Sequence, residues 1–347
     1  MVSSPQPSAF SLQPSILVTG GAGFIGSALI HALNERGEKK ILVTDDILDE
    51  EKHHHLRPLS YEAYLSASDL LEKLERESEE VASLKTIFHL GACSSTLETN
   101  REYLMKNNFE YTRILSEWAL KHDVRFVYAS SAATYGDGSQ GMKDGIENLD
   151  QLKPLNLYGM SKHLFDLHAR DQGWFDRIVG IKYFNVFGPN EGHKKEMRSL
   201  VCKAYEKIVA TGRVKLFKSH RHDYGDGEQQ RDFVYVKDAV AMTLHLAFTK
   251  TGSKNIGGLF NVGTATPRTW LDLTSALFAA LDREPVIEFI DMPEYLQHQY
   301  QYYTCADVSQ LLATGYQQPS WSLEAAVTDY VKNYLVPGKH LGEEERL

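Results

Sequence analysis

The sequence predicts an α/β fold with a doubly wound parallel Rossmann sheet and a smaller, mixed α/β substrate lobe. From Ser15 onward, short β-branched runs alternate with longer segments of helical periodicity, which is typical of a parallel sheet with helices on both faces. A glycine-rich turn joins the first of these strands directly to a helix. Beyond Phe184 the alternation gives way to loops rich in Gly, Pro and Asn, which indicates a second, smaller lobe.

The individual elements follow from hydrophobic spacing. The first strand is predicted at 16–19, and Phe24, Ile25, Ala28, Leu29, Ala32 and Leu33 then recur on one face of a helix that stops near Gly37. The next elements are strands at 41–44, 86–90, 125–129 and 177–183 and helices over 68–80, 100–121 and 156–170. The smaller lobe has a predicted helix over 197–211, strands at 214–217 and 233–236, and an exposed loop over 219–230.

These elements define the predicted domains. The dinucleotide-binding Rossmann domain comprises 15–184 and 232–262, and the substrate-binding lobe comprises 185–231 and 263–336. Residues 1–14 are rich in Ser and Pro and are predicted to be a disordered tail. The acidic ending after Pro337 predicts a second, solvated tail over 337–347.

Composition excludes several classes of partner. The chain has 347 residues, and 37 Lys and Arg against 46 Asp and Glu give a formal charge of −9. An acidic chain without a dense basic stripe is not expected to bind nucleic acid. No apolar run approaches the roughly 18 residues of a membrane helix, so no membrane association is predicted. The chain starts without a secretory signal pattern, and its cysteines, Cys93, Cys202 and Cys305, are odd in number and widely spaced. Both features predict a cytoplasmic protein with reduced thiols.

The glycine-rich turn predicts a dinucleotide site. Gly20, Gly23 and Gly26 recur every three residues between a strand and a helix, where bare backbone N–H groups meet a pyrophosphate at the positive end of the helix. Asp45 and Asp46 end the second strand, where a carboxylate accepts hydrogen bonds from the adenosine ribose and favours NAD. Lys52 offers a cation that offsets this repulsion and admits NADP, so the local residues leave the choice open.

A second group of residues predicts proton transfer. Tyr158 and Lys162 are four residues apart at the start of a helix and project from one face, and Ser131 ends a preceding strand. The Lys162 ammonium is expected to lower the pKa of Tyr158, so that the phenol exchanges a proton with a sugar hydroxyl while Ser131 holds that oxygen.

These motifs together resemble a known family. The glycine turn, Tyr158, Lys162 and Ser131 are similar to the extended short-chain dehydrogenases/reductases, which include nucleotide-sugar epimerases and dehydratases. Further segments make the chain from about 16 to 335 resemble the ADP-glyceromanno-heptose 6-epimerases, namely Gly91 to Thr96, Tyr128 to Gly136, Lys153 to Asn156, Tyr183 to Pro189, Glu191 to Lys194 and Arg231 to Val236. Of these, GACSST and EGHK are the most selective.

The resemblance implies an activity and a set of roles. It implies tightly held NADP, with NAD as the alternative, and inversion of C6 in ADP-glycero-manno-heptose, from the D-glycero to the L-glycero form, through a 6-keto sugar. It implies that Tyr158 and Lys194 each transfer the proton for one orientation of the sugar. Cofactor contacts implied are Phe24, Ile25, Lys52, Leu90, Ala92, Ser94, Asn107 and Val186, and substrate contacts implied are Asn185, Lys203, Phe217, Arg231 and Tyr300. A homo-oligomer working in lipopolysaccharide core biosynthesis is also implied.

Other interpretations stay open at this point. A UDP-hexose 4-epimerase or a dehydratase shares the glycine and Tyr/Lys motifs, but a dehydratase is expected to have an acidic pair where this chain has Ala132 and Ala133. A non-catalytic dinucleotide-binding protein of this fold would usually lack the Tyr/Lys pair. No metal site is predicted, because neither His53 to His55 nor the cluster of His220, His222 and Asp223 has a recognisable ligand spacing.

Overall fold

Seven parallel strands form the central sheet of the computed structural model, which describes residues 13–46, 50–252, 254–297, 300–317 and 321–343. In chain order the strands are Ile16–Thr19, Ile41–Thr44, Ala63–Leu65, Thr86–His89, Arg125–Ser131, Ile178–Tyr183 and Gly258–Val262. Their order across the sheet is seventh, sixth, fifth, fourth, first, second, third. The direction of winding therefore reverses between the first and fourth strands, and the predicted doubly wound α/β class is confirmed.

This reversal determines where a ligand binds. The chain leaves the first and fourth strands toward opposite halves of the sheet, so a crevice opens at their carboxyl ends. The first, second, fourth and sixth strands are buried along their whole length, as expected of parallel strands covered on both faces. Helix Phe24–Glu35 follows the first strand and buries Leu29, Ile30 and Leu33 completely.

Helices surround the sheet. The longer α-helices are Phe24–Glu35, Ala67–Glu75, Tyr111–Lys121, Leu157–Asp171, Leu200–Thr211, Val236–Phe248, Trp270–Ala280 and Leu323–Tyr330. Shorter ones are Glu50–Leu56, Glu79–Ala82, Arg101–Leu104, Glu294–Gln297 and Ser309–Ala313. The described residues also form two π-helical turns, Met105–Glu110 and Val331–Leu335. They form four 3-10 turns as well, at Ala132–Tyr135, Leu149–Gln151, Trp174–Asp176 and Gly192–Met197. None of the described helices is long and apolar enough to cross a membrane.

Among the described residues, four two-stranded pairs lie outside the central sheet. Asn185–Phe187 pairs with Phe233–Tyr235 and Val214–Phe217 pairs with Ile287–Ile290, both in parallel. Gln230–Arg231 pairs with Arg268–Thr269, and Lys250–Thr251 with Lys254–Asn255, both antiparallel. The strands predicted at 214–217 and 233–236 are therefore present, and the predicted loop between them is largely exposed, although Gly227 and Gln229 are buried.

Three predicted helices differ in detail from the structure. The helix expected over 68–80 is divided because Glu77 has a positive φ of 50°, after which a new helix begins beyond Ser78. The helix expected from 197 begins at Leu200, where the Ser199 hydroxyl accepts a hydrogen bond from the Cys202 N–H. The helix predicted over 100–121 is present but contains the π-helical turn Met105–Glu110.

Within the predicted solvated tail, Pro337, Gly338 and Glu343 are exposed as expected, but Leu341 is buried. Leu341 is 1% exposed, and its backbone N–H donates to the Asn190 side-chain oxygen at 3.2 Å. We call residues 337–343 the C-terminal segment. The apolar side chain of Leu341 gives this otherwise polar stretch a core contact, which its acidic end obscured in the sequence. The predicted N-terminal tail lies almost entirely outside the described residues.

Candidate active site

A cavity of about 860 Å³ opens at the carboxyl ends of the central strands. One end is formed by the glycine turn after the first strand and by Asp45 at the end of the second. The middle is formed by Ser131 and by Tyr158, and the far end by Phe217 and other side chains from outside the central sheet. The cavity thus lies at the predicted crevice and joins the dinucleotide motif to the proton-transfer residues.

The glycine turn has the geometry that a dinucleotide phosphate requires. Gly20 has a φ of +68° and donates its N–H to the Thr44 carbonyl at 2.7 Å. A Cβ on Gly26 would lie 2.0 Å from the Gly20 carbonyl oxygen, so only glycine fits there. Because the helix begins at Phe24, the unpaired N–H groups of its first turn face the cavity beside Gly23. These residues fit a bound pyrophosphate.

The end of the second strand carries a balanced pair of charges. The Asp45 carboxylate accepts the Ala22 N–H at 3.0 Å and lies 2.8 Å from the Lys52 ammonium. Both residues line the cavity, whereas Asp46 is exposed and is not among its lining residues. The carboxylate that would repel a 2′-phosphate is therefore partly neutralised by a cation that lies in the same cavity.

The wall after the fourth strand is held by an asparagine that sequence analysis missed. Leu90, Ala92 and Ser94 line the cavity, as the resemblance implied. Asn108, fully buried, accepts the Cys93 N–H at 2.9 Å and donates to the Cys93 carbonyl at 3.0 Å. The implied residue Asn107 instead donates to the Tyr103 carbonyl and is not a lining residue. The π-helical turn rotates these neighbours by one residue, and no sequence signal marked it.

The proton-transfer group assembles on helix Leu157–Asp171. Its N-cap, Asn156, accepts the Gly159 N–H at 2.8 Å and so fixes the first turn, from which Tyr158 and Lys162 project into the cavity. Ser131 ends the fifth strand and hydrogen-bonds the Tyr158 side chain. The Lys162 ammonium donates to the Ala129 carbonyl at 2.7 Å.

The pKa values in this group differ from the prediction. Burial raises the pKa of Tyr158, and the hydrogen bond from Ser131 opposes this rise. The predicted lowering by Lys162 is wrong for this arrangement, because the Lys162 ammonium is directed to the Ala129 carbonyl. Burial lowers the pKa of Lys162 itself to about 8, with Asp166 acting in the opposite direction.

A buried ion pair lies beneath this group. The Asp166 carboxylate accepts hydrogen bonds from the Ser130 hydroxyl and the Tyr128 phenol, each at 2.7 Å. The Lys182 ammonium lies 3.7 Å from it and donates to the Thr134 hydroxyl at 2.8 Å. All polar atoms of Asp166 therefore have partners, and the fifth strand is fixed next to Ser131.

Lys194 reaches the cavity from the 3-10 turn Gly192–Met197. Its ammonium lies 5.2 Å from the centre of the Phe24 ring, and its backbone N–H donates to the Glu191 carbonyl at 3.0 Å. Burial lowers the pKa of Lys194, which the buried Glu191 carboxylate opposes. That carboxylate accepts the Ser199 hydroxyl at 2.6 Å, so the start of the next helix anchors the turn.

The residues implied for substrate fall into two groups. Asn185, Lys203, Phe217 and Tyr300 line the cavity, as does Val186. Arg231 does not, because its guanidinium is buried 5.2 Å from the Tyr300 ring and 5.6 Å from the Trp270 ring and donates to the Gln230 carbonyl. Sequence analysis missed other lining side chains from segments distant in sequence, among them Thr96, His193, Met197, Lys215 and Trp270.

The polar residues His220 and Asp223 of the loop cluster each have a structural partner. Over the described part of the chain, no three His, Cys, Asp or Glu side chains are arranged to hold a metal ion. His220 hydrogen-bonds the Tyr302 phenol at 2.8 Å, and Asp223 pairs with Arg221. Burial raises the pKa of Cys93, which favours the inert thiol.

A doubly wound sheet with a glycine turn, a Tyr/Lys/Ser group and one shared cavity defines a dinucleotide-dependent enzyme of the Rossmann class. The chain belongs to the NAD dependent epimerase/dehydratase family, whose model matches residues 16–263. A nicotinamide dinucleotide is accordingly its cofactor.

Within this family the chain is similar to proteins named ADP-L-glycero-D-manno-heptose-6-epimerase. The protein of that name from Nitratidesulfovibrio vulgaris is 46% identical over 319 residues, covering 92% of this chain and 97% of that protein. The protein from Fusobacterium nucleatum is 42% identical, covering 92% and 98%. The crystal structure of the Helicobacter pylori enzyme matches with a TM-score of 0.74 at 27% identity, covering 94% and 97%. The resemblance found in the sequence is thereby confirmed.

Proposed function

We propose that this chain inverts C6 of the heptose in ADP-glycero-manno-heptose, converting the D-glycero to the L-glycero form through transient oxidation to a 6-keto sugar. The observation that carries this proposal is that one cavity joins the glycine turn to two separate proton-transfer residues, Tyr158 and Lys194. The names of the relatives that span nearly the whole chain support the same substrate and the same reaction.

We further propose that the cofactor is NADP, with NAD as the alternative. Lys52 lies in the cavity beside Asp45, and the pair presents a cation as well as a carboxylate to the ribose end of the dinucleotide. A 2′-phosphate would draw Lys52 toward itself, while the Ala22 N–H keeps its hydrogen bond to the carboxylate. Phe24, Ile25, Leu90, Ala92, Ser94 and Val186 would contact the rest of the cofactor.

Tyr158 is the first proton-transfer residue in this proposal. Ser131 holds the phenol and would hold the C6 hydroxyl of the sugar next to it. A dinucleotide held by the glycine turn would supply the hydride acceptor and donor, and Tyr158 would move the accompanying proton. Lys162 lines the same cavity, where its ammonium donates to the Ala129 carbonyl and would contact the cofactor.

Lys194 is the second proton-transfer residue in this proposal. Epimerisation exposes opposite faces of the keto carbon to the same hydride carrier, so the sugar must present its C6 oxygen in two orientations. A second acid/base on a different element meets the oxygen in the other orientation. Burial lowers the pKa of Lys194 and so favours its neutral amine, which is the form that accepts a proton.

The remaining roles concern the substrate and the assembly. Asn185, Lys203, Phe217 and Tyr300 would contact the nucleotide sugar, with Arg231 acting from behind Tyr300. In this scheme 15–184 and 232–262 hold the cofactor, and 185–231 and 263–336 hold the substrate. Several copies are proposed to assemble through the contacting helices 101–121 and 157–171, which expose the apolar side chains Tyr103, Ile114, Leu157 and Met160. The unpaired cysteines support a cytoplasmic location.

The experiment that tests this proposal follows the hydrogen at C6. The purified protein is incubated with ADP-D-glycero-D-manno-heptose in deuterated water, and the C6 configuration and deuterium content are read by NMR. We expect inversion with no deuterium at C6 and transient reduction of the bound dinucleotide. Deuterium at C6 would show direct deprotonation, and turnover of UDP-hexose alone would show a 4-epimerase.

A further inference from the structure

We propose that Asn190 is a positioning residue for Lys194, and that the C-terminal segment 337–343 holds Asn190 in place and so completes the active site. This inference rests on the proposed role of Lys194. It concerns a contact that joins three distant parts of the chain at the beginning of the Glu191 to Lys194 motif.

Asn190 connects the turn Gly192–Met197, which carries Lys194 and is called the catalytic turn below, to the helix that follows the glycine turn. It is 5% exposed and has a left-handed backbone with a φ of 72°, which turns the chain into Glu191. Its side-chain amide donates to the Ser27 hydroxyl at 3.0 Å, on the helix that starts beside the glycine turn. The position of the turn that carries Lys194 is therefore tied to the helix that would bind the pyrophosphate.

The C-terminal segment supplies the other half of the contact. The Asn190 side-chain oxygen accepts the Leu341 N–H at 3.2 Å and lies 3.3 Å from Nδ1 of His340. Leu341 is 1% exposed and belongs to the same core as Leu56 and Leu59. A buried amide with every polar atom used holds its backbone in one conformation, so the segment limits the positions that Glu191 and the following turn can take.

A row of imidazole rings runs alongside this contact. The His340 ring lies 5.2 Å from the His55 ring, and the His55 ring lies 5.1 Å from the ring of His193, which precedes Lys194. His55 also hydrogen-bonds the Ala22 carbonyl at 2.8 Å, next to the glycine turn. The C-terminal segment, the glycine turn and the catalytic turn thus pack against one another through a second set of side chains.

These contacts restrict the conformations that the turn carrying Lys194 can adopt. Within the turn Gly192–Met197, Lys195 has a non-helical, positive φ of 50°. Such a turn keeps one conformation only when its surroundings hold it. The anchors are Glu191 on one side, bonded to Ser199, and Asn190 on the other, bonded to Ser27 and Leu341.

The test removes the contact from both sides. Asn190→Gly keeps the left-handed backbone while deleting the amide, and Leu341→Ala removes the anchor without touching the catalytic turn. We expect each variant to speed hydrogen exchange of the amides from 191 to 198 at least tenfold and to lower turnover at least tenfold at unchanged KM. In the double variant the two effects should not add, because both act through one contact.

Matched controls separate positioning from general destabilisation. Asp282→Gly replaces an exposed residue with a similar positive φ of 54°, and Leu341→Met keeps the buried volume. Both should leave exchange of 191–198 and turnover unchanged. Unchanged exchange in Asn190→Gly and Leu341→Ala would overturn the inference. Faster exchange at full turnover would support the contact and instead contradict the acid/base role proposed for Lys194.

Discussion

The Lys182 ammonium lies 3.7 Å from the Asp166 carboxylate, and the two side chains are 1% and 0% exposed. Both charges lie directly beneath the strand end that carries Ser131. Removing one partner leaves the other charge buried without compensation, which usually costs far more than the pair contributes.

The first prediction concerns the stability of this pair. Asp166→Ala is expected to lower the free energy of unfolding by about 3–5 kcal/mol, and the double change Asp166→Leu with Lys182→Met by less than the single change. Urea unfolding followed by circular dichroism measures both. The exposed pair Lys218 and Asp291 is the control, because its removal should change stability by less than about 1 kcal/mol. Equal losses at the two pairs would contradict the assigned burial.

The second prediction concerns Tyr158. Tyr158→Phe removes the phenol that Ser131 holds, and turnover should fall by at least about 100-fold, as expected for loss of a positioned acid/base. Steady-state assays of C6 inversion measure this, and the co-purifying dinucleotide should stay bound. Tyr205→Phe, which removes only a hydrogen bond to the Leu335 carbonyl, is the matched control. Retained turnover would remove Tyr158 from the mechanism.

A third prediction addresses the choice between NADP and NAD. Lys52→Met leaves Asp45 without its cation, so affinity for NADP relative to NAD should fall at least tenfold, or about 1.4 kcal/mol. Titration calorimetry on protein stripped of dinucleotide gives both affinities. Lys40→Met is the control, because it removes an exposed lysine just before the strand Ile41–Thr44 that ends beside Asp45. It should change the affinity for neither NADP nor NAD. An unchanged ratio in Lys52→Met would favour NAD as the natural cofactor.

The fourth prediction concerns the pH dependence of stability. Burial raises the pKa of Asp144 to about 6, and its Oδ1 has no hydrogen-bond partner among the residues that the structure describes. The folded state therefore binds a proton more tightly than the unfolded chain, so this contribution to stability is present at low pH and is lost as pH rises through about 6. Asp144→Asn should raise stability at neutral pH by on the order of 2 kcal/mol.

The same change should have a much smaller effect at about pH 4, where the folded-state carboxyl is almost fully protonated and the unfolded-state carboxyl is close to its midpoint of titration. Urea unfolding at the two pH values makes the comparison. Asp46→Asn, at an exposed carboxylate, should alter stability at neither pH. If Asp144→Asn destabilised the protein equally at both values, its carboxylate would be ionised without penalty in the folded state.

The parts of the site that sequence analysis predicted are those fixed by local geometry. The spacing of Gly20, Gly23 and Gly26 determines the turn, and the spacing of Tyr158 and Lys162 places both on one helical face. These relationships involve residues at most six positions apart in the chain, so the sequence alone specifies them.

The missed parts depend on contacts between distant segments. Asn108 holds Cys93 from a π-helical turn, and the Arg231 guanidinium lies near the Trp270 and Tyr300 rings, which come from later elements. The pKa of Tyr158 follows from burial and from the direction of the Lys162 ammonium, neither of which spacing reveals. Docking of Leu341 was missed because one apolar residue among charged neighbours carries no periodicity.

The contact between Lys52 and Asp45 bears on how this enzyme could change over evolution. It lies at the ribose end of the cavity, on a strand end and a short helix, while Ser131 and Tyr158 come from other elements. A substitution at the Lys52 codon alone could therefore change which dinucleotide the protein uses. The residues that act on the sugar would stay the same. On the role proposed for Lys52, a lineage whose cells supply a different dinucleotide would need to change only that lysine.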